Sequence, residues 1–124
     1  MRDIKFRAWE NTNKRYVDSR NLIITEDAVF EDWRYQEDGI CGDLILEQFT
    51  GLRDKNGKEI YEGDIVKISR FNGESVIHGA IFEKKGAYHV ENGHDLADTD
   101  LLGAFKPNIV KVIGNIHENP ELLK

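Results

Sequence analysis

Apolar and polar side chains alternate with a period of two through most of this chain. In Ile4–Trp9 the alternation sets Ile4, Phe6 and Ala8 on one side and Lys5, Arg7 and Trp9 on the other, the mark of a half-buried strand. A turn at Asn11-Thr12-Asn13-Lys14 returns the chain through Arg15-Tyr16-Val17, and Leu22–Thr25 reads as a further short strand. Compact apolar or alternating runs follow at Leu44–Phe49, Ile65–Ser69, Ser75–Glu83, Ala87–Glu91 and Ile109–Ile116. The pairs Asn56-Gly57, Asn72-Gly73 and Asn92-Gly93 lie between such runs and tolerate the positive φ angles of a type I′ turn.

Elsewhere the pattern is weaker. Thr25, followed by Glu26 and Asp27, is placed to start a short helix with Ala28, Val29 and Trp33 on one face, ended by Gly39–Gly42. Gly51 is expected to break the Leu44–Phe49 strand, and Gly63 to hold positive φ ahead of the strand at Asp64. Residues 94–106 read as a loop or single helical turn covering one end of a sheet. Gly114 suggests a bulge, and Asn119-Pro120-Glu121 a one-turn helix with Asn119 as its cap. The expectation is a mainly β domain over 1–124, a small antiparallel barrel or sandwich with little helix. Its core lies in 44–124, with N-terminal strands and an acidic segment in 1–43.

Composition narrows the class. An apolar share of 40% with 32% charged residues fits a folded protein with a well-charged surface. No apolar run approaches the roughly 20 residues that span a bilayer. The opening MRDIKFRAWE has no signal-peptide apolar region, and Cys41, the single cysteine, permits no intramolecular disulfide. A cytoplasmic location is therefore expected.

The net charge of −6 is uneven. Arg2, Lys5, Arg7, Lys14, Arg15 and Arg20 make the first twenty residues basic, while residues 26–47 carry eight carboxylates against Arg34. Trp9 shares its strand face with Lys5 and Arg7, a combination that could stack bases and hold phosphates. The overall acidity opposes that use, so packing is the expected role of Trp9 and nucleic acid is not an expected partner.

His89, His94, Asp95, Asp98 and Asp100 form the one group with metal-ligand chemistry, but their spacing fits no zinc or calcium template. Cys41 has no base near it in sequence. No Ser-His-Asp signature, phosphate-binding glycine loop or H-E-x-x-H is present. No catalytic residue and no cofactor is expected.

Three blocks, Ile4–Trp9 (IKFRAW), Thr50–Val66 (TGL-x-D-x-NG-x-E-I-Y-x-GD-I-V) and Val112–Leu123 (VIGN-I-x-ENPELL), resemble the YopX family of phage and prophage proteins. The resemblance implies an SH3-like β-barrel, an origin in a phage or prophage and residence in a bacterial host cell. It implies no activity. It gives Gly51, Asp54, Gly57, Gly63, Asp64, Gly114 and Pro120 structural roles. The spans 18–43 and 71–108 carry no family signature, and function is expected to diverge there. The leading expectation is a non-enzymatic accessory protein that binds another protein of host or phage, a homo-oligomer being compatible with it. The alternatives are a nucleic-acid module using Lys5, Arg7 and Trp9, and an enzyme built on His89, His94 and the adjacent carboxylates.

Overall fold

A computed structural model describes residues 4–11, 14–17, 20, 22–24, 29–31, 44–73, 75–91 and 99–123. Eleven strands occupy them: β1 (Phe6–Glu10), β2 (Arg15–Val17), β3 (Leu22–Ile24), β4 (Val29–Glu31), β5 (Leu44–Arg53), β6 (Glu59–Tyr61), β7 (Asp64–Arg70), β8 (Ser75–Lys84), β9 (Ala87–Glu91), β10 (Thr99–Leu101) and β11 (Val110–Asn115). All pairings are antiparallel, and the only helical turns among the described residues are short 3-10 turns. The mainly β architecture predicted from the alternation is what forms. No helix among the described residues is long and apolar enough to cross a membrane.

The chain divides into two compact units, one over Ile4–Gln48 and one over Phe49–Lys124. In the first, β1 lies between β2 and the opening of β5, with Trp9 opposite Tyr16, Glu10 opposite Arg15 and Arg7 opposite Glu47. These are complementary cross-strand pairs, the unit by which sheets gain stability. β3 and β4 form a separate ladder in which Ile24 faces Val29. Val29 therefore sits in a strand, which corrects the expected helix: Leu22–Ile24 offers Val29–Glu31 a β partner, and pairing overrides a weak helical start.

The second unit is a five-stranded sheet in the order β10-β9-β8-β7-β11. Val66, Ile68, Ile81, Val90, Leu102, Val110 and Val112 build its core together with Ile60. The closing part of β5 pairs with β6, and here the expected break at Gly51 is also corrected. The strand continues to Arg53, with Gly51 at φ 87° and the register shifting between Phe49 and Arg53, so the glycine absorbs a bulge without ending the strand. Residues 94–106 read as a loop or single helical turn; a 3-10 turn does form at Leu102–Ala104, and Thr99–Leu101 before it adds the unexpected strand β10 beside β9.

Turn chemistry departs from expectation in an instructive way. At Asn72-Gly73 both residues have positive φ, 57° and 90°, as a type I′ hairpin requires. At Asn56-Gly57 only Gly57 does, because the Asp54 carboxylate organises that turn instead. The β8–β9 hairpin turns through Lys85-Gly86, φ 52° and 81°, a pair the sequence reading passed over. Asn92-Gly93 lies outside the described residues.

Gly63 has φ 84° and is pinned on both sides, its N–H donating to the Ile81 carbonyl and its own carbonyl accepting from Ile116 N–H. Gly63→Val is expected to destabilise the unit by more than about 1 kcal/mol, since a β-branched residue holds positive φ only with strain. A thermal melt matching wild type would contradict this.

Candidate functional site

The residues shared with the family blocks are occupied in building the fold. Thr50 Oγ1 donates to the Ile60 carbonyl at 2.7 Å and accepts from Leu52 N–H. Asp64 Oδ2 accepts from Tyr61 N–H at 2.8 Å, and the Tyr61 ring packs on Phe49. Asn115 Oδ1 accepts from the N–H groups of His117 and Glu118. The expected final turn forms at Pro120–Leu123 with the Asn119 carbonyl accepting from Leu122 N–H, but the Asn119 Oδ1 reaches back to Asn115 N–H, close over Gly114. A side-chain Cβ at Gly114 would meet that oxygen at 2.5 Å, so glycine is required there for the approach.

Asp54 has the densest set of contacts. Oδ1 accepts from Asn56 N–H and Lys58 N–H, each at 2.9 Å, and Oδ2 accepts from Val112 N–H at 3.0 Å. Lys55 N–H adds a bond to the Val110 carbonyl. The turn thus closes onto the outer side of β11 and satisfies strand groups that would otherwise stand unpaired. Burial raises the Asp54 carboxyl, but the three backbone donors, with Lys58 nearby, outweigh it and hold the group below the usual carboxylate range.

The basic N-terminal face is spent internally. Arg7 Nε contacts Glu47 Oε1 at 2.8 Å, and the same oxygen accepts from the Tyr16 hydroxyl at 3.0 Å. Arg7 also lies over the Tyr16 ring, 4.4 Å from its centre, and Arg15 Nε contacts Glu10 at 3.1 Å. Trp9 is 2% exposed and packs edge-on against Tyr16. A base cannot stack on a buried indole. Lys5 is exposed, one residue ahead of β1.

Of the group with metal-ligand chemistry, His94, Asp95 and Asp98 lie outside the described residues, as does Cys41. Asp100 falls in β10, opposite Val90. His89 is in β9 with its ring stacked on Phe82, 5.5 Å between centres. No group of three metal-ligating side chains converges among the described residues.

A different site emerges in the second unit. A cleft of about 830 Å³ opens where β7, β11 and the turns around them meet. Lys55, Lys67, Arg70, Lys106 and Lys111 line it together with Ser69, Asn72, Asn108, Phe105 and Ile109, and no carboxylate does among the described residues. Each element has a reason to put its residue there. Alternation in β7 turns Lys67 and Ser69 away from the Val66 and Ile68 core face. β11 pairs with β7 so that Lys111 stands directly opposite Lys67, and in the next register Lys67 stands opposite His78 of β8. The Asp54 turn carries Lys55 over the same place. Phe105 and Ile109 pack partly into the core and fix the wall that presents Lys106 and Asn108.

Lys55, Lys67, Lys106 and Lys111 are exposed, and their ammonium groups have no hydrogen bond or ion pair among the described residues. Exposed lysines need no explanation singly, but a directly opposed pair does. Like charges facing each other across strands, about 5 Å apart at Cβ, destabilise a sheet. Lys111→Gln is accordingly expected to stabilise the unliganded protein by about 0.2–1 kcal/mol, measurable by urea denaturation at low salt. An unchanged or lowered stability would show that the pair carries no repulsion.

The sequence reading missed this cleft because its cations are scattered at 55, 67, 70, 106 and 111 and form no local run. The outward positions of Lys67 and Lys111 were legible from alternation. Their meeting depended on the β7–β11 register, which nothing local specifies.

A family model described as YopX protein matches residues 5–124. Among solved structures, protein EF1440 from Enterococcus faecalis is similar at 27% identity and a TM-score of 0.60, the match covering 100% of both chains. Protein yopX from Bacillus subtilis is similar at 23% identity and a TM-score of 0.63, covering 100% of this chain and 98% of that one, a likeness of fold. A search of curated proteins gives no match.

Proposed function

The chain belongs to the YopX protein family, and from that premise we propose that it is a non-enzymatic accessory protein of a phage or prophage, acting in the host cytoplasm by holding another protein. The partner's anionic segment is received in the cleft of the second unit. The observation that supports this reading is the lining itself: five cations and no carboxylate among the described residues, in a chain of net charge −6. Such a local reversal of sign steers an acidic segment to one place while the rest of the surface repels it elsewhere. The cleft also lies almost wholly outside the family blocks. Lys55 alone falls within one of them, and the other lining residues fall between them, so the surface is separate from the motifs that build the frame.

The nucleic-acid reading through the N-terminal strand loses its support, because Arg7 and Arg15 are engaged by Glu47 and Glu10 and Trp9 is buried. The test is affinity capture from lysogenic cells, run in parallel with wild type, Lys67→Glu/Lys111→Glu and the control Lys84→Glu. A protein retained by wild type and by the control but lost from the double variant is the expected result. Retention by all three, or capture that vanishes on nuclease treatment, would contradict the proposal.

A further inference from the structure

We infer that the anionic group the cleft is built for is a phosphate monoester carried on an apolar or aromatic body; this rests on the cleft being the working surface. Three features of the lining point to it. The first is charge density. Lys67 and Lys111 face each other in register, with Lys55 and Lys106 on the same cleft and no carboxylate among the described residues to offset them. A single carboxylate brings one negative charge and two oxygens to these ammonium groups. A phosphate monoester brings about −1.5 to −2 and three strong acceptor oxygens, so one group relieves the repulsion of the pair and reaches a third cation.

The second feature is the kind of cation. The four without a partner among the described residues are lysines, which act on phosphate as point charges with three rotatable donors each. They can converge on a tetrahedral group from several sides. Ser69, beside Lys67 on the same strand face, adds a hydroxyl donor.

The third feature is the wall. Phe105 and Ile109 are half-buried, anchored in the core from behind, and line the cleft next to the cations. They offer an apolar surface for the body that carries the phosphate. A polynucleotide is disfavoured: its phosphates are diesters of one charge each, and a long polyanion would run beyond the cleft into the field of an acidic protein. The ligand that meets all three features is a phosphorylated aromatic side chain of the partner protein, for which phenyl phosphate stands in.

The experiment is isothermal titration calorimetry of the full chain at low salt with phenyl phosphate, benzoate, inorganic phosphate and a thymidine hexanucleotide without terminal phosphates. Wild type is compared with Lys67→Gln and Lys111→Gln. The expected result is phenyl phosphate at least tenfold tighter than both benzoate and inorganic phosphate, with at least tenfold loss in each variant while far-UV circular dichroism stays unchanged. Benzoate matching phenyl phosphate would overturn the phosphate assignment and leave the cleft as a binding surface. Inorganic phosphate matching phenyl phosphate would overturn the role of the Phe105 and Ile109 wall. A hexanucleotide binding more tightly than phenyl phosphate would overturn the inference in favour of nucleic acid. Absence of binding by every anion would overturn both this inference and the functional reading beneath it.

Discussion

Asp54→Ala is expected to cost the protein about 3 kcal/mol, the largest effect of any single substitution considered, because it strands the N–H groups of Asn56, Lys58 and Val112 together. The bond from Val112 N–H is buried, so water cannot readily replace the lost carboxylate there. For a chain of this size the melting temperature should fall by on the order of 10 °C. The effect should also depend on pH. The folded-state carboxyl is held below its ordinary value, so its contribution is complete above the unfolded pKa of about 3.9 and is lost as pH falls through the lower, folded one. Urea denaturation of wild type and Asp54→Ala should therefore show a full gap at neutral pH that closes on acidification below about pH 4. A gap that stays constant down to the acid transition would mean that the carboxylate's bonds are not its source.

On the proposed reading of the cleft, this turn also links stability to ligand binding. The bonds that seat Asp54 on β11 fix Lys55 at the mouth of the cleft, so Asp54→Asn should weaken ligand binding as well as folding. One oxygen survives in that variant, but an amide N–H₂ now faces a backbone donor.

The second large effect concerns the cleft. Lys67→Glu/Lys111→Glu replaces two positive charges by two negative ones at adjacent, opposed positions, and anion binding should fall about a hundredfold or more at low salt. Exposed charges are screened, so wild-type affinity should itself weaken as salt rises and the difference between the proteins should shrink. Both substitutions lie at exposed strand positions, and the fold should persist. Lys84→Glu, on an exposed position of β8 outside the cleft lining, should change binding little. Equal losses in the control and the double variant would reduce the effect to net charge alone.

Much of the frame was legible in the sequence, and the reason is local. Period-two alternation in β1, β7 and β11 and the positive-φ demands of Gly63 and Asn72-Gly73 are properties of a few adjacent residues. Features that depend on distant partners were not legible. Val29 forms a strand because Leu22–Ile24 pairs with it, and Arg53 stays in β5 because β6 returns to meet it beyond the Gly51 bulge. Asn119 holds the cap position and its carbonyl accepts from Leu122 N–H, but its side chain bonds Asn115, four residues back, close over Gly114.

The same division explains the site. The sequence places a basic strand face at Lys5 and Arg7, but it could not show that Glu47, far along the chain, sits opposite Arg7. It also could not show Lys111 opposite Lys67, since three strands and several turns separate them in sequence. A run of basic residues was thus neutralised by folding, while scattered ones were gathered.

The account turns on which of these two surfaces meets an anion, and an amide-resolved titration separates them directly. ¹H–¹⁵N correlation spectra of the uniformly labelled protein would be followed as phenyl phosphate is added, and then hexaglutamate in a parallel sample. The prediction is that shifts concentrate at Lys55, Lys67, Ser69, Asn72 and residues 105–111, with Arg7, Trp9 and Arg15–Val17 unmoved. Shifts centred on the N-terminal strands, or no saturable shift with either anion, would contradict it.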